Sequence, residues 1–175
     1  MIRPILALLM MLALAACVDE EAPDGRTAAD VQPSDYVKIS RSACFGACPV
    51  FDLTLYGDGR VVFHGVRYTK MQGQHSDRFS TGTFLEAISA MEARGFADLK
   101  DNYTRDSCKV WATDHPSVRV EVKSAALTKS LDWYTGCRGI EERAQIDGLV
   151  DELERILEVE RFIGTSAERR DMRRP

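Results

Sequence analysis

The chain has 175 residues, 45% of them apolar and 29% charged, with a formal net charge of −4 at pH 7. This is the composition of one folded domain with polar ends, not of a disordered chain or a polytopic membrane protein. The acidic balance and the lack of a basic stripe in the body of the chain exclude nucleic acid as an expected partner.

In chain order, Arg3 precedes an apolar run from Ile5 to Leu14, which ends in Leu14-Ala15-Ala16-Cys17. A charged start, a short apolar stretch and small residues before a cleavage point make a secretory signal. A cysteine directly after the small residues marks the lipid-attachment site of a bacterial lipoprotein. Residues 1–16 are therefore read as signal peptide and Cys17 as the lipidated start of the mature chain. The run has about half of the ~20 residues a membrane-spanning helix needs, so the expected membrane contact is an anchor through the lipid. The expected address is the bacterial cell envelope, facing the periplasm. Val18 after the modified cysteine favours the outer membrane by analogy with enteric sorting. Residues 17–35 carry Asp19, Glu20, Glu21, Asp24, Asp30 and Asp35 against a single Arg26, the composition of a solvated linker.

A single domain is expected over residues 36–163. Val37 and Ile39 alternate with Lys38 and Ser40 in a first strand, and Phe51, Leu53 and Leu55 alternate with Asp52, Thr54 and Tyr56 in a second. Gly57-Asp58-Gly59 then turns the chain into a third strand through Val61 and Phe63, because Asp-Gly between alternating runs is a strong hairpin signal. Gln72 to Ser80 reads as a polar loop. Thr83 and Glu86 have capping-box spacing, and Phe84, Ile88 and Met91 form the stripe of a helix that stops at Gly95. The segment from Phe96 to Val110 has no period. Val118, Val120 and Val122 form a fourth strand, Leu127 to Tyr134 a fifth, and Ile146, Leu149, Val150, Leu153, Ile156 and Leu157 recur at three and four in a long second helix. The order β-β-β-α-β-β-α predicts an α+β fold, an antiparallel sheet of about five strands with two helices packed on one face. Residues 164–175, with Arg169, Arg170, Arg173 and Arg174, read as a disordered tail; contact with anionic lipid is its alternative reading.

Subtracting Cys17 leaves Cys44, Cys48, Cys108 and Cys137, an even set that predicts two disulfides in an exported protein. Four cysteines allow three pairings, and locality favours Cys44 with Cys48 and Cys108 with Cys137. Chain entropy assigns the short loop about 2 kcal/mol and the longer one about 3.6 kcal/mol.

Chemistry-bearing residues are sparse. The hexapeptide Cys44-Phe45-Gly46-Ala47-Cys48-Pro49 fits a structural disulfide, and the alternatives are thiol exchange or copper handling. Thiol exchange needs a depressed pKa, for which Arg41 is the nearby cation. The C-x3-C-P spacing resembles the copper motif of Sco-type copper chaperones over these six residues, although a strand pattern follows here where those proteins carry a helix. His64 falls on the polar side of a strand, His75 in the polar loop and His115 in the turn Thr113-Asp114-His115-Pro116, each read as a surface residue. No H-E-x-x-H, G-x-S-x-G, S-x-x-K or phosphate-loop signature occurs, and Asp106 and Asp114 near Trp111 read as solvated loop acids. Trp111, Trp133 and Tyr134 read as core or sheet-face aromatics rather than a sugar platform. Neither a catalytic residue, a metal nor a cofactor is expected.

Cys44-Phe45-Gly46-x-Cys48-Pro49-x-Phe51, Leu55-Tyr56-Gly57-Asp58-Gly59, Thr113-Asp114-His115-Pro116, Cys137 and Ile146-Asp147 together resemble a family of bacterial envelope proteins classed as a domain of unknown function. The match runs from about Val37 to Ile163. The resemblance implies one small domain with strands flanking the cysteine loop and supplies no activity; Phe51 stands where tyrosine is common in that family. The expected function is binding or scaffolding of another envelope component, without catalysis. Its expected surface is the sheet face that helices leave open, where Thr54, Tyr56, His64, Arg119 and Glu121 would project.

Overall fold

The computed structural model describes Thr27 and residues 30–172. The signal peptide, Cys17, most of the linker, Arg173 and Arg174 lie outside the described residues.

The alternating segments form strands β1 (Tyr36–Arg41), β2 (Val50–Tyr56), β3 (Arg60–Arg67), β4 (Gly73–Arg78), β6 (Ser117–Lys123) and β7 (Thr128–Tyr134), with a short strand β5 (Val110–Trp111) between. The order across the main sheet is β4-β3-β2-β1-β6-β7, and every neighbouring pair is antiparallel. Val110 and Trp111 pair separately with β8 (Cys137–Arg138) in a two-stranded sheet. Helices α1 (Thr81–Ala93), α2 (Arg143–Ile156), α3 (Val159–Ile163) and α4 (Ser166–Asp171) complete the α+β fold.

The core forms where odd-numbered residues of β1 to β3 and even-numbered residues of β6 turn to one face. Val37, Ile39, Leu53, Leu55, Val61 and Phe63 are fully buried there, beneath Phe84, Ile88 and Met91 of α1 and Ile146, Leu149 and Leu153 of α2. Phe162 on α3 stacks on Phe63 at 4.9 Å, and Phe63 on Phe51 at 5.8 Å. The helices fit together at Gly148, where a Cβ would meet the Arg94 guanidinium at 2.5 Å. Arg94 bonds Glu152 at 3.0 Å instead, and Arg155 bonds Glu86 at 3.0 Å.

Several elements differ from the sequence expectation. The polar stretch after Gln72 is not a loop: β4 pairs residue for residue with β3, Arg78 to Arg60 through Gly73 to Gly65, and so places His75 in a strand. An edge strand gains from the backbone ladder and needs no apolar alternation. Helix α1 starts earlier than the Thr83 capping signal, because Ser80 is extended (φ −67°, ψ 154°) and its hydroxyl accepts the Thr83 amide at 3.2 Å. The second helical stripe breaks at Glu158, which takes a left-handed conformation (φ 49°) and redirects the chain into α3. Within the tail, Ser166–Asp171 form α4. Thr165 and Glu168 form a reciprocal capping box there, and Lys70 bonds Glu168 at 3.0 Å.

The end of the linker is also part of the body. The Asp35 carboxylate accepts the Gln32 amide at 2.9 Å, and the Asp35 carbonyl accepts the Gly57 amide at 2.9 Å. Gly57 is required for this approach, since a Cβ would lie 2.4 Å from the Gln32 carbonyl oxygen. In the same turn only Gly59 has positive φ (81°), the pattern of a three-residue hairpin loop with its last residue left-handed.

Phe162→Ala removes the ring that closes the aromatic stack and is expected to cost about 3–5 kcal/mol of stability in chemical denaturation. Arg170→Ala, on the exposed side of α4, should stay within about 0.5 kcal/mol.

Candidate functional site

The helices that pack on the sheet, α1, α2 and α3, all lie on its apolar face, so among the described residues the opposite face carries the other half of each strand's side chains without a covering layer. Register aligns these residues in rows across the strands. One row runs Gln74, His64, Asp52, Ser40, Arg119, Asp132, and the next Ser76, Val62, Thr54, Lys38, Glu121, Ser130. Thr54, Tyr56, His64, Arg119 and Glu121 thus share this open face, as strand parity requires.

Their neighbours make the site a network. The Ser40 hydroxyl donates to Asp52 at 2.6 Å and Lys38 pairs with the same carboxylate at 3.1 Å. Partial burial pushes the Asp52 carboxyl up, but the Ser40 hydroxyl, the Lys38 ammonium and His64 together outweigh it and leave its pKa below the usual carboxylate range. Arg119 grips Asp132 with a two-pronged fork, 2.9 and 2.6 Å, which raises the guanidinium pKa further. Tyr36 meets Tyr56 edge-on at 6.5 Å, and Arg60 covers the Tyr56 ring at 4.2 Å. Ser40, Asp52, Lys38 and Asp132 carry no motif that marks them as site residues. Alternation with apolar residues was the signal that places them on this face, while register decides which of them meet.

Three adjoining depressions mark the face. The first, about 280 Å³, holds Lys38, Ser40, Asp52, Arg119 and Asp132 and is rimmed by Val50 and Val66. The second, about 250 Å³, lies among Tyr36, Lys38, Thr54 and Tyr56, and the third, about 310 Å³, beside Thr128 to Ser130. Glu121 lines all three.

The cysteines pair as Cys44 with Cys48 (Cα–Cα 5.8 Å) and Cys108 with Cys137 (Cα–Cα 5.3 Å). The first bridge closes the loop between β1 and β2, and Phe45 at its tip is 89% exposed. Its amide donates to the carbonyl of Asp114 at 3.1 Å, so the cysteine loop and the Thr113–Pro116 turn sit at one end of the sheet. Asp114 is left-handed there (φ 70°). The His115 amide donates to the Tyr134 hydroxyl at 3.2 Å, that hydroxyl donates to the Ala112 carbonyl at 2.7 Å, and Trp111 stacks on Tyr134 at 4.2 Å. Trp133 is instead buried on the core face, edge-on to Tyr103 at 5.7 Å. Asp106 lies in the helical turn Arg105–Ser107, away from this cluster's hydrogen bonds. Arg41, the cation nearest the cysteine loop in sequence, is held by Glu154 of α2. Among the described residues no group of three or more His, Cys, Asp or Glu is arranged to hold a metal ion.

Sheet, helices and open face define a two-layer α+β domain with one solvent-facing sheet surface. The chain belongs to the family of a domain of unknown function, DUF6438, whose family model matches residues 35–157. No curated protein matches it.

Removing Lys38 or Ser40 by alanine substitution should raise the Asp52 pKa in a carboxyl NMR titration, because each supports the charged form. The sign follows: a depressed carboxylate contributes stability above its unfolded pKa and loses it as pH falls through the folded value, so both variants should show a smaller acid-side loss than the parent. The bridges should also separate. Mild thiol should open the half-buried Cys44–Cys48 bridge first in a mass-resolved alkylation assay, whereas the fully buried Cys137 protects its own; double serine replacement should cost about 2 and about 3.6 kcal/mol respectively.

Proposed function

We propose that this chain is a lipid-anchored domain of the bacterial envelope that binds or scaffolds another envelope component through the open face of its sheet, without catalysing a reaction. The observation that carries the reading is the uncovered face itself: hydrogen-bonded ion pairs aligned in rows, with three depressions between them. Such a preorganised polar surface costs little to order on binding. The anchor is read from the sequence around Cys17, and the location is the periplasmic side of the outer membrane. No described helix is long and apolar enough to cross a membrane.

Thiol exchange or copper handling at Cys44 and Cys48 has less support. The thiolate of a reduced loop needs a neighbouring cation, and Arg41 is committed to Glu154.

Two variant sets test the proposal in cells. Cys17→Ser should move the protein from the membrane to the soluble fraction. With the anchor intact, combined alanine changes at Thr54, His64 and Arg119 should leave the thermal transition within a few degrees and abolish the envelope cross-links formed from a photoreactive residue at position 62. Unchanged cross-links, or none from the parent face, would defeat the binding reading.

A further inference from the structure

We infer that the open face takes an extended, basic segment of a partner protein, and that Glu121 is the acceptor for that segment's lysine or arginine. The inference rests on the reading of this face as a binding surface and adds the chemistry it selects.

Charge bookkeeping along the face leads to Glu121. Of the charges lining the three depressions, Lys38 is matched to Asp52 at 3.1 Å, Arg119 to Asp132 at 2.6 Å and Lys129 to Asp101 at 2.6 Å. Arg41 is matched to Glu154 on the helical layer. Glu121 is the remaining one. Its nearest cation among the described residues is Arg119 Nη1 at 4.0 Å, beyond hydrogen-bond distance, and the Arg119 fork is already committed to Asp132. The Glu121 side chain is only 24% exposed, so much of its hydration is lost without a protein donor in return.

An ionised carboxylate only accepts. The group that completes it is therefore a donor, and where every other lining charge is neutralised the favoured donor carries a positive charge.

Shape decides between a compact amine and a polymer. Glu121 is the one side chain common to all three depressions. Two of them follow β1 and the residue after it, from Tyr36 to Ser42, about 20 Å at strand rise, the reach of roughly six extended residues, and the third lies beside Tyr36 across β6 and β7. Val50 and Val66 rim one end, Val66 being 53% exposed, and Tyr36 with Tyr56 line the other. A single amine would occupy one depression, whereas an extended chain places its basic residue at the centre and apolar residues at both ends.

The test is a charge swap read by fluorescence anisotropy on the full chain in detergent, with the labelled peptide Ac-Val-Ser-Arg-Ser-Val-NH2, whose Val, Arg and Val side chains share one face of an extended chain, and its counterparts carrying Gln or Glu in place of Arg. The parent should bind the Arg peptide at least fivefold more tightly than the Gln peptide, and Glu121→Gln should remove that preference. Glu121→Lys should prefer the Glu peptide, a reversal that a merely structural role would not produce. Equal affinity of the parent for the Arg and Gln peptides, or an Arg preference that survives in Glu121→Gln, would overturn the inference. Should Glu121→Lys not fold, the near-isosteric Glu121→Gln carries the test alone. Cross-links from position 62 that persist in Glu121→Gln at parental yield would sink the basic-segment assignment and leave the binding face standing; their absence from the parent sinks both.

Discussion

Strand β1 is the constraint on which the rest of the fold depends. Its six residues pair one for one with β2 on one side, Tyr36 with Tyr56 through Arg41 with Phe51, and with β6 on the other, Tyr36 with Lys123 through Arg41 with Val118. A strand bonded along both edges cannot slip by one residue without turning every side chain to the wrong face. Val37 and Ile39, both fully buried, therefore lock the register of the two neighbouring strands, and with it the polarity of the two faces.

That register has a second product. The same pleat that collects the apolar residues beneath the helices lines up Asp52, Ser40, Arg119 and Asp132 on the other side, where Ser40 bonds Asp52 across β1 and β2 and Arg119 bonds Asp132 across β6 and β7. Exposed ion pairs of this kind add little to stability one by one. Their weight lies in fixing where charge sits: three close pairs neutralise most of the face and leave Glu121 as the local excess.

Direction along the strands separates two ends of the domain. The chain enters at the end where Gln32 and Asp35 close over Gly57. The opposite end carries the Cys44–Cys48 loop, with Phe45 projecting from it and bonded to the Thr113–Pro116 turn. Two segments some seventy residues apart in the chain thus meet because β1 and β6 are antiparallel neighbours, Ser42 donating its amide to the Ser117 carbonyl at 3.0 Å.

Strict alternation made β1, β2, β3, β6 and β7 legible in the sequence, as the three-and-four spacing did for α1 and α2, and the parity of Thr54, Tyr56, His64, Arg119 and Glu121 followed from the same pattern. Such signals are local: each residue's side is decided by its immediate neighbours. The elements that escaped are those held by distant partners. β4 is polar on both faces and exists as a strand through its ladder with β3; α4 is held by Lys70 from the far side of the chain; the linker's end docks because Gly57 leaves room for Gln32. The pairing of Ser40 with Asp52 and of Arg119 with Asp132 belongs to the same group. Sequence by itself determined which residues face the core and which face solvent, because pleat and helical pitch are properties of the chain. Tertiary structure alone decided which solvent-facing residues become neighbours, because that depends on strand order and register, and these are set by contacts between segments that no local pattern records.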